Sequence, residues 1–364
     1  MQTDEPCVEL GESAIFRPLA LGALRLANRI VMAPMTRNRA RPDGVPDALM
    51  VEYYAARADA GLIVAEGAWP CAEGQAYCRQ PGIATDAHVA GWRRVVDAVQ
   101  ARGAQIVLQI MHSGRIGSSR IKPEGVETVA PSAIRAHGQI YTDAAGMQDF
   151  DMPREMTQDD IGHAVDAHRM AALRAREAGF DGVELHCTSG YLPMQFMYSE
   201  TNCRADEYGG DAPARVRFAV ECLKAMADAI GADRVGFRVN PGNAFNDARD
   251  EDSAATHEAL LSQAAPLGLA YLHVMRAPVS DIDAFALARK YFPGRLILND
   301  GFDPESAERA IAGGEGEAVS FARHFIGNPD LVRRMRMGLP LAKFDRRTLY
   351  TPGPAGYTDY PVAA

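Results

Sequence analysis

Residues 104–112 read AQIVLQIMH, a short run in which apolar residues occupy both faces of an extended chain. Strands that are buried on both faces are typical of a parallel sheet that helices cover on both sides. Seven further runs of this kind occur along the chain: NRIVMAP (28–34), AGLIVAEG (60–67), DGVELHC (181–187), DRVGFRVN (233–240), LAYLHVMR (269–276), GRLILND (294–300) and AVSFARHF (318–325).

Amphipathic helical patterns separate these runs. The first, residues 86–103, is expected to begin at Asp86 as its N-cap and to end at Gly103 as its C-cap. Similar patterns cover residues 157–180 and 213–231. Eight strands with intervening helices predict a closed (β/α)8 barrel. A doubly wound open sheet is the alternative, but no G-x-G-x-x-G follows the first strand.

We expect one domain over residues 1–364, because no linker and no internal repeat is visible. Residues 113–156, after the third strand, are rich in Gly, Pro and Ser and lack helical periodicity. Such a long loop in a compact domain is usually functional and is often a lid.

The composition argues against several classes of partner. Charged residues make up 23% of the chain and the formal net charge is −9, which disfavours nucleic acid and anionic membranes as partners. The six cysteines form no C-x-x-C pair and no zinc-like spacing, which favours a reducing cytoplasm. The acidic N-terminal residues 1–16 are not expected to be a signal peptide, and no apolar run reaches membrane-spanning length.

Polar residues gather where the predicted strands end, which is the active-site end of this fold. Arg238 lies among apolar residues in the fifth strand, so it needs either an anionic ligand or an internal ion pair. Arg323 ends the eighth strand and Gly301 follows the seventh, where barrels of this type usually bind phosphate. Phosphate binding is therefore better supported for Arg323 than for Arg238.

Two other strand ends carry hydrogen-bonding side chains. A buried amide at Gln109 needs partners, which are either the neighbouring backbone or the ring of a cofactor. His186, Ser189 and Tyr191 crowd the end of the fourth strand, where they form either a functional group or a satisfied core cluster.

Six motifs, in order, resemble the Old Yellow Enzyme family of FMN-dependent ene-reductases. They are LANRIVMAPMTRNRA (26–40), LQIMHSGR (108–115), RADEYGG (204–210), ILNDGF (297–302), FARHFIGNPDL (321–331) and GYTDYP (356–361). The resemblance extends over nearly the whole chain. It implies a (β/α)8 barrel that binds FMN and uses NADPH or NADH as reductant.

The resemblance also implies roles for individual residues. Those expected at the FMN are Pro34, Met35, Thr36, Gly67, Gln109, Arg238, Asn299, Gly301, Ala322 and Arg323, with Arg238 near the N1–C2 edge of the flavin. Those expected at the substrate are Tyr77, Met111, His186, Ser189 and Tyr350. No metal ligand set is expected.

In this reading His186 and Ser189 hold the carbonyl oxygen of an electron-poor alkene, and Tyr191 donates the proton. Reduction is expected to be ping-pong, with the nicotinamide and the alkene using the same site. The family pattern has Asn or His where this chain has Ser189, and a serine hydroxyl ends about 1.5 Å short of an amide nitrogen. The enzyme is then expected either to be a weaker reductase of simple enones or to act on a substrate that fills the space left by the shorter Ser189 side chain.

Three functions from different classes are therefore considered. The first is an ene-reductase acting on α,β-unsaturated carbonyls and nitroalkenes. The second is a flavoenzyme of the same fold that acts as a desaturase, an isomerase or a dedicated biosynthetic reductase. The third is a barrel without flavin, which would need a cluster of metal ligands that the sequence does not show. We expect a monomer or a homodimer.

Overall fold

The computed structural model describes residues 13–363. Cys7 lies outside the described residues. The expectation about a signal peptide concerns residues 1–16, most of which also lie outside them.

Eight of the fourteen strands in residues 13–363 form the closed barrel that the sequence predicts, and all eight are parallel. The strands are β1 Leu19–Leu21, β2 Leu24–Leu26, β3 Ile30–Met32, β4 Leu62–Ala68, β5 Gln105–Ile110, β6 Val129–Ala130, β7 Gln139–Thr142, β8 Gly146–Asp149, β9 Arg154–Glu155, β10 Gly182–Cys187, β11 Val235–Val239, β12 Tyr271–Met275, β13 Leu296–Asn299 and β14 Ala318–Phe321. The barrel order is β3-β4-β5-β10-β11-β12-β13-β14, and β14 pairs with β3 to close it. Closure excludes the open doubly wound sheet.

Helices connect the barrel strands and cover them from outside. They are α1 Ala48–Ala55, α2 Asp86–Gln100, α3 Gln158–Glu177, α4 Leu192–Met197, α5 Ala212–Arg215, α6 Arg217–Ile230, α7 Ser253–Ala264, α8 Ala284–Tyr291, α9 Pro304–Ala312, α10 Arg323–Gly327 and α11 Leu331–Met337. No helix in residues 13–363 is long and apolar enough to cross a membrane.

Three helix predictions need correction at their ends. The N-cap of α2 is Thr85 rather than Asp86, because the Thr85 hydroxyl accepts the backbone N–H of His88. The same helix ends at Gln100 rather than at Gly103, which lies beyond it in the left-handed region with φ +86°. The pattern over 213–231 forms two helices, α5 and α6.

A hairpin that the sequence did not reveal closes the N-terminal end of the barrel. Its strands β1 and β2 pair antiparallel, and Leu21, Leu24 and Leu26 are buried. They pack against residues near the starts of barrel strands, including Leu62 and Ala318. This end is therefore filled with apolar side chains, which leaves the opposite end for a site.

The loop over residues 113–156 is more regular than expected. It contains a two-stranded parallel sheet of β6 and β9 and an antiparallel hairpin of β7 and β8. Ile140 and Phe150 from this segment pack against Met111 and Tyr191 in a small apolar cluster. The hairpin thus lies over the C-terminal end of the barrel, in the place expected of a lid.

Candidate active site

A tight turn after β10 brings His186, Ser189 and Tyr191 together, as the sequence predicts. Ser189 and Gly190 are both in the left-handed region, with φ values of +60° and +74°. A Cβ on Gly190 would lie 2.7 Å from the backbone oxygen of Phe245, so only glycine fits. The chain then enters α4, which starts one residue after Tyr191.

The contacts of Thr188 fix the tautomer of His186. The backbone N–H of Thr188 donates to Nδ1 of His186 at 3.3 Å, and the Thr188 hydroxyl lies 2.9 Å from the same atom. Because Nδ1 accepts, Nε2 carries the proton in the neutral ring. Burial, followed by the charges of Arg238 and His273, lowers the pKa of His186 well below its usual value. His186 is therefore a neutral donor through Nε2.

The Ser189 hydroxyl is engaged within the turn. Its oxygen lies 3.1 Å from the hydroxyl oxygen of Thr188. A Thr188 hydroxyl that donates to His186 can accept from Ser189, so the three side chains form one chain of hydrogen bonds. The Asn246 side-chain amide also donates to the Ser189 backbone oxygen at 2.8 Å.

Tyr191 lies against His186 and is paired with Tyr77. The two phenol oxygens are 2.8 Å apart, and the edge-on rings of His186 and Tyr191 have centroids separated by 4.8 Å. Burial, and then the charge and hydrogen bond of Tyr77, raise the pKa of Tyr191 well above its usual value. A hydrogen bond from Asn246 acts in the opposite direction. Tyr191 is therefore a protonated phenol at neutral pH.

A cavity of about 830 Å³ opens above Tyr191. Three residues that the sequence assigned to the substrate or the flavin, Thr36, Tyr77 and Tyr350, contribute to its wall. The β7–β8 hairpin and the loop after β11 supply the other walls, and Phe245 and Asn246 belong to that loop. Met111 lies behind this wall, buried in the same apolar cluster as Tyr191.

Gly67 and Gln109 lie in adjacent barrel strands, and each has a specific packing reason. A Cβ on Gly67 would lie 2.8 Å from the sulfur of Met111, so a larger residue would displace that side chain. The Gln109 amide nitrogen donates to Glu184 Oε1 at 2.8 Å. The partner of the amide nitrogen is thus a carboxylate on the next strand, rather than the backbone.

Glu184 was not identified from the sequence, although an acidic residue in an apolar strand could have indicated it. Its buried carboxylate also accepts hydrogen bonds from His273 Nδ1 at 2.9 Å and from the Tyr271 hydroxyl at 3.2 Å. Burial alone would raise the pKa of Glu184, but the charge and hydrogen bond of His273 and the charge of Arg238 lower it. An anion therefore lies inside the barrel.

Arg238 has no ion pair within the described residues. One of its terminal nitrogens donates to Asn299 Oδ1 at 2.5 Å, whereas its Nε is fully buried without a partner. Glu184 balances its charge from a distance. An unsatisfied buried N–H is costly, so this atom indicates an acceptor that a bound ligand supplies.

The ends of β13 and β14 form the second half of the candidate cofactor site. Asp300 and Gly301 adopt positive φ angles of 76° and 74°, and only Arg276, at 3.9 Å, lies near the place of a Gly301 Cβ. The eighth barrel strand was predicted over residues 318–325, but β14 ends at Phe321. After Ala322, Arg323 is therefore the exposed first residue of α10. Arg276, which stacks between Phe285 and Phe302, is a second cation near this loop.

Pro34 and Met35 follow β3, and both are partly buried. Within residues 13–363, no group of three or more His, Cys, Asp or Glu side chains is placed to hold a metal ion.

The comparisons with known proteins agree with this geometry. The model of the family described as "NADH:flavin oxidoreductase / NADH oxidase family" matches residues 14–342. A probable flavin mononucleotide-dependent alkene reductase of Leishmania infantum is 40% identical over 95% of this chain and 97% of that protein. 12-Oxophytodienoate reductase 1 of Oryza sativa subsp. japonica is 38% identical over 95% of this chain and 92% of that protein.

Solved structures give the same result. Morphinone reductase in complex with tetrahydroNAD superposes with a TM-score of 0.92 at 39% identity, covering 96% of this chain and 98% of that one. The old yellow enzyme homologue from Zymomonas mobilis superposes with a TM-score of 0.93 at 37% identity, covering 96% of this chain and 100% of that one.

Proposed function

The chain belongs to the NADH:flavin oxidoreductase / NADH oxidase family, that of the Old Yellow Enzymes, and on that premise we propose how its own residues perform the family's reaction. It is an FMN-dependent NAD(P)H oxidoreductase that reduces the C=C bond of activated alkenes. The observation that carries the proposed roles is the buried pair of His186 and Tyr191 beside a large cavity, one a neutral donor and the other a protonated acid.

The described residues fit FMN. The unpartnered Nε of Arg238 offers a donor and a positive charge to an electron-rich ring edge, and the open space at Gly301 lets backbone N–H groups approach a phosphate. Arg323, exposed after β14, would add a cation to that phosphate, with Ala322 and Asn299 beside it. Pro34, Met35, Thr36, Gly67 and Gln109 would line the ring. When bound, FMN supplies the two-electron hydride chemistry between NAD(P)H and the alkene.

His186 binds the carbonyl oxygen of the substrate through Nε2–H. As the alkene accepts hydride at its β-carbon, negative charge develops on this oxygen. A donor fixed in place before the reaction stabilises that charge without reorganising. Thr188 is the positioning residue that keeps the proton on Nε2.

Tyr191 protonates the α-carbon. Its raised pKa keeps the hydroxyl hydrogen in place at neutral pH. Tyr77, 2.8 Å from it, orients the hydroxyl and accepts or supplies a hydrogen bond as the phenolate forms and is reprotonated.

Ser189 holds the turn rather than the substrate. Its hydroxyl is within hydrogen-bond distance of Thr188, and this contact supports a site in which His186 is the principal oxyanion donor. The alternative, in which Ser189 reaches the oxygen directly or through water, requires that contact to break. We propose activated enones and nitroalkenes as the substrate class.

Anaerobic single-turnover kinetics test this function. The FMN-loaded enzyme is reduced with NADPH or NADH and then mixed with 2-cyclohexenone, 1-nitrocyclohexene and a saturated ketone. Reoxidation by the two alkenes, with the saturated product formed stoichiometrically, is expected. Reoxidation by neither would indicate a desaturase, an isomerase or another oxidant.

We also propose one FMN-binding domain over residues 1–364, a monomer or homodimer, and a cytoplasmic location. The last proposal is supported by the five described cysteines, all of which are free thiols.

A further inference from the structure

Two consecutive residues in the loop after β11 have a backbone conformation that is unfavourable for residues other than glycine. Asn246 and Asp247 adopt left-handed φ angles of +57° and +59°. Within residues 13–363 they are the only two consecutive residues other than glycine that share this conformation. Asn and Asp tolerate it better than most residues, but two in succession need contacts that hold them in place.

Asp247 is bound to residues 113–156, which we call the capping segment because their hairpin lies over the cavity. The backbone N–H of His137 donates to Asp247 Oδ2 at 3.1 Å, and His137 Nδ1 lies 2.8 Å from the same oxygen. Arg115 Nη2 donates to the Asp247 backbone oxygen at 2.6 Å and lies 3.8 Å from the carboxylate. Asp247 therefore fastens the loop after β11 to the capping segment at two points.

These contacts favour the carboxylate form of Asp247. Burial opposes ionisation, but the hydrogen bonds of His137 and the charge of Arg115 outweigh it, so the pKa of Asp247 lies below its usual value. The Arg115 guanidinium is buried, whereas the His137 ring is 93% exposed, so Arg115 supplies the stronger contact. Arg115 is itself fixed, because its backbone N–H donates to Gln195 Oε1 in α4 at 3.0 Å.

Asn246, the neighbour of Asp247, reaches the turn that carries Ser189 and Tyr191. Its amide nitrogen donates to the Ser189 backbone oxygen at 2.8 Å. An amide nitrogen has two hydrogens, so one remains for the phenol oxygens of Tyr77 and Tyr191. Burial raises the pKa of both phenols, and hydrogen bonds from Asn246 act against that rise. A donor at this place therefore stabilises the phenolate more than the phenol.

We propose that Asp247 is a positioning residue for proton transfer, because it holds Asn246 in the conformation in which the amide reaches the oxygen of Tyr191. The inference rests on the proposed function, in which Tyr191 is the acid. During the transfer the Tyr191 O–H bond breaks and a C–H bond forms at the α-carbon, which leaves a phenolate. The Asn246 amide stabilises this phenolate until water returns the proton.

The capping segment and the acid are coupled in this arrangement. Phe245 and Asn246 line the cavity, whereas Asp247 does not. Because one two-residue turn contacts both the capping segment and the Tyr191 turn, release of Asp247 from Arg115 and His137 would also release Asn246 from Tyr191. Closing of the cavity and alignment of the acid are therefore expected to occur together.

The test is anaerobic reoxidation of the reduced, FMN-loaded enzyme by 2-cyclohexenone and by 1-nitrocyclohexene. The enone needs a proton at its α-carbon, whereas the nitroalkene can leave as a nitronate, so the ratio of the two rates reports the proton transfer. Asp247→Gly removes the carboxylate at a φ angle that glycine tolerates. It is expected to lower the enone rate about 3- to 10-fold, the value of one hydrogen bond, with the nitroalkene rate within about twofold. The solvent deuterium isotope effect on the enone reaction should increase.

Two further variants separate positioning from a general loosening. Asp247→Asn keeps an acceptor for His137 and tolerates the left-handed backbone, so the enone rate should recover to within about threefold of wild type. Asp151→Ala is the matched control, because its carboxylate binds Ser119 and Thr128 inside the capping segment instead of the loop after β11. It should change both rates together, so that their ratio stays within about twofold.

Asn246→Gly removes the amide itself and keeps the backbone conformation accessible. The enone rate should fall at least as far as in Asp247→Gly. The double variant should lose no more than Asn246→Gly alone, because both residues act through the same hydrogen bond. Losses that multiply in the double variant would show that the two residues act separately, which would overturn the proposal.

Other results would also overturn it. An equal fall of both alkene rates in Asp247→Gly would assign Asp247 to the fold of the cavity rather than to proton transfer. An enone rate within about twofold of wild type would show that Asn246 keeps its place without the carboxylate. Failure of the wild type to reduce either alkene would reject the proposed function, whereas reduction of both, with an unchanged ratio in Asp247→Gly, would reject this inference alone.

Discussion

Thr188 contacts His186 twice at the same atom, since its backbone N–H and its hydroxyl both lie within 3.3 Å of Nδ1. The two contacts leave Nε2 as the ring nitrogen that carries the proton and can donate it in a hydrogen bond. The ring orientation thus depends on a residue that itself reaches no substrate.

Thr188→Ala is expected to weaken the binding of phenolic ligands such as 4-hydroxybenzaldehyde by about 3- to 10-fold, the value of one neutral hydrogen bond. Thr188→Ser should restore the affinity because it keeps the hydroxyl. Absorbance titration of the FMN-loaded enzyme gives the dissociation constants. Ser189→Ala is the matched control and should change them by less than about twofold. A larger effect for Ser189→Ala than for Thr188→Ala would show that Ser189 touches the ligand.

The oxidative half-reaction should be independent of pH between about 6 and 9.5. The pKa of Tyr191 is raised, so the acid stays protonated as the pH rises to its ordinary value of about 10. The pKa of His186 is lowered, so the ring stays neutral as the pH falls towards about 6. Stopped-flow reoxidation by 2-cyclohexenone measures this directly. An apparent pKa inside the window would contradict one of the two assignments.

Glu184→Gln should destabilise the FMN-loaded protein by about 3 kcal/mol, because a neutral amide cannot replace a carboxylate that accepts three hydrogen bonds. Urea unfolding gives the free energy. The folded-state pKa of Glu184 is lowered, so its contribution is present above the unfolded pKa near 4.3 and is lost as the pH falls below it.

The difference in the free energy of unfolding between wild type and Glu184→Gln should therefore become smaller as the pH falls. Glu177→Gln, at an exposed position, is the control and should cost less than about 0.5 kcal/mol. A difference in the free energy of unfolding that grew as the pH fell would contradict a lowered pKa for Glu184 in the folded state.

Arg39→Gln should loosen the segment that carries Tyr350. The Arg39 guanidinium donates to the backbone oxygens of Leu349 and Thr348, each at 2.7 Å, and it stacks on Tyr357. Trypsin cleavage after Arg346 and Arg347 should become faster, and the KM for enones should rise more than kcat falls. Arg41→Gln is the control, because Arg41 is exposed and its guanidinium pairs with Asp43 rather than with this segment. Cleavage at the wild-type rate would show that Arg39 does not hold this wall.

The barrel could be predicted because its strands are buried on both faces and polar residues lie at or after the ends of most of them. The runs around Val107, Val183 and Val235 show this pattern without any knowledge of their neighbours. Strand and helix ends were less certain because local caps decide them, as the Thr85 hydroxyl does for α2. The crowding of His186, Ser189 and Tyr191 was visible because the three lie within six residues.

The remaining parts of the site depend on contacts between distant residues. Asn246 reaches Ser189 across 57 positions, and the sequence of its own loop does not indicate this contact. The hairpin of β7 and β8 closes over Tyr191 through Ile140 and Phe150, which carry no periodic signal. The partners of Glu184, His273 and Gln109, become evident only in the closed barrel.

The most direct test of the account is Tyr191→Phe, compared with wild type on two alkenes. An enone needs a proton at the α-carbon to complete its reduction, whereas a nitroalkene can leave as a nitronate whose charge two oxygens share. In the variant, reoxidation by 2-cyclohexenone should fall at least about 100-fold, while 1-nitrocyclohexene should still react within a few-fold of wild type and release the nitronate. Cyclohexenone turnover within twofold of wild type would show that Tyr191 is not the proton donor.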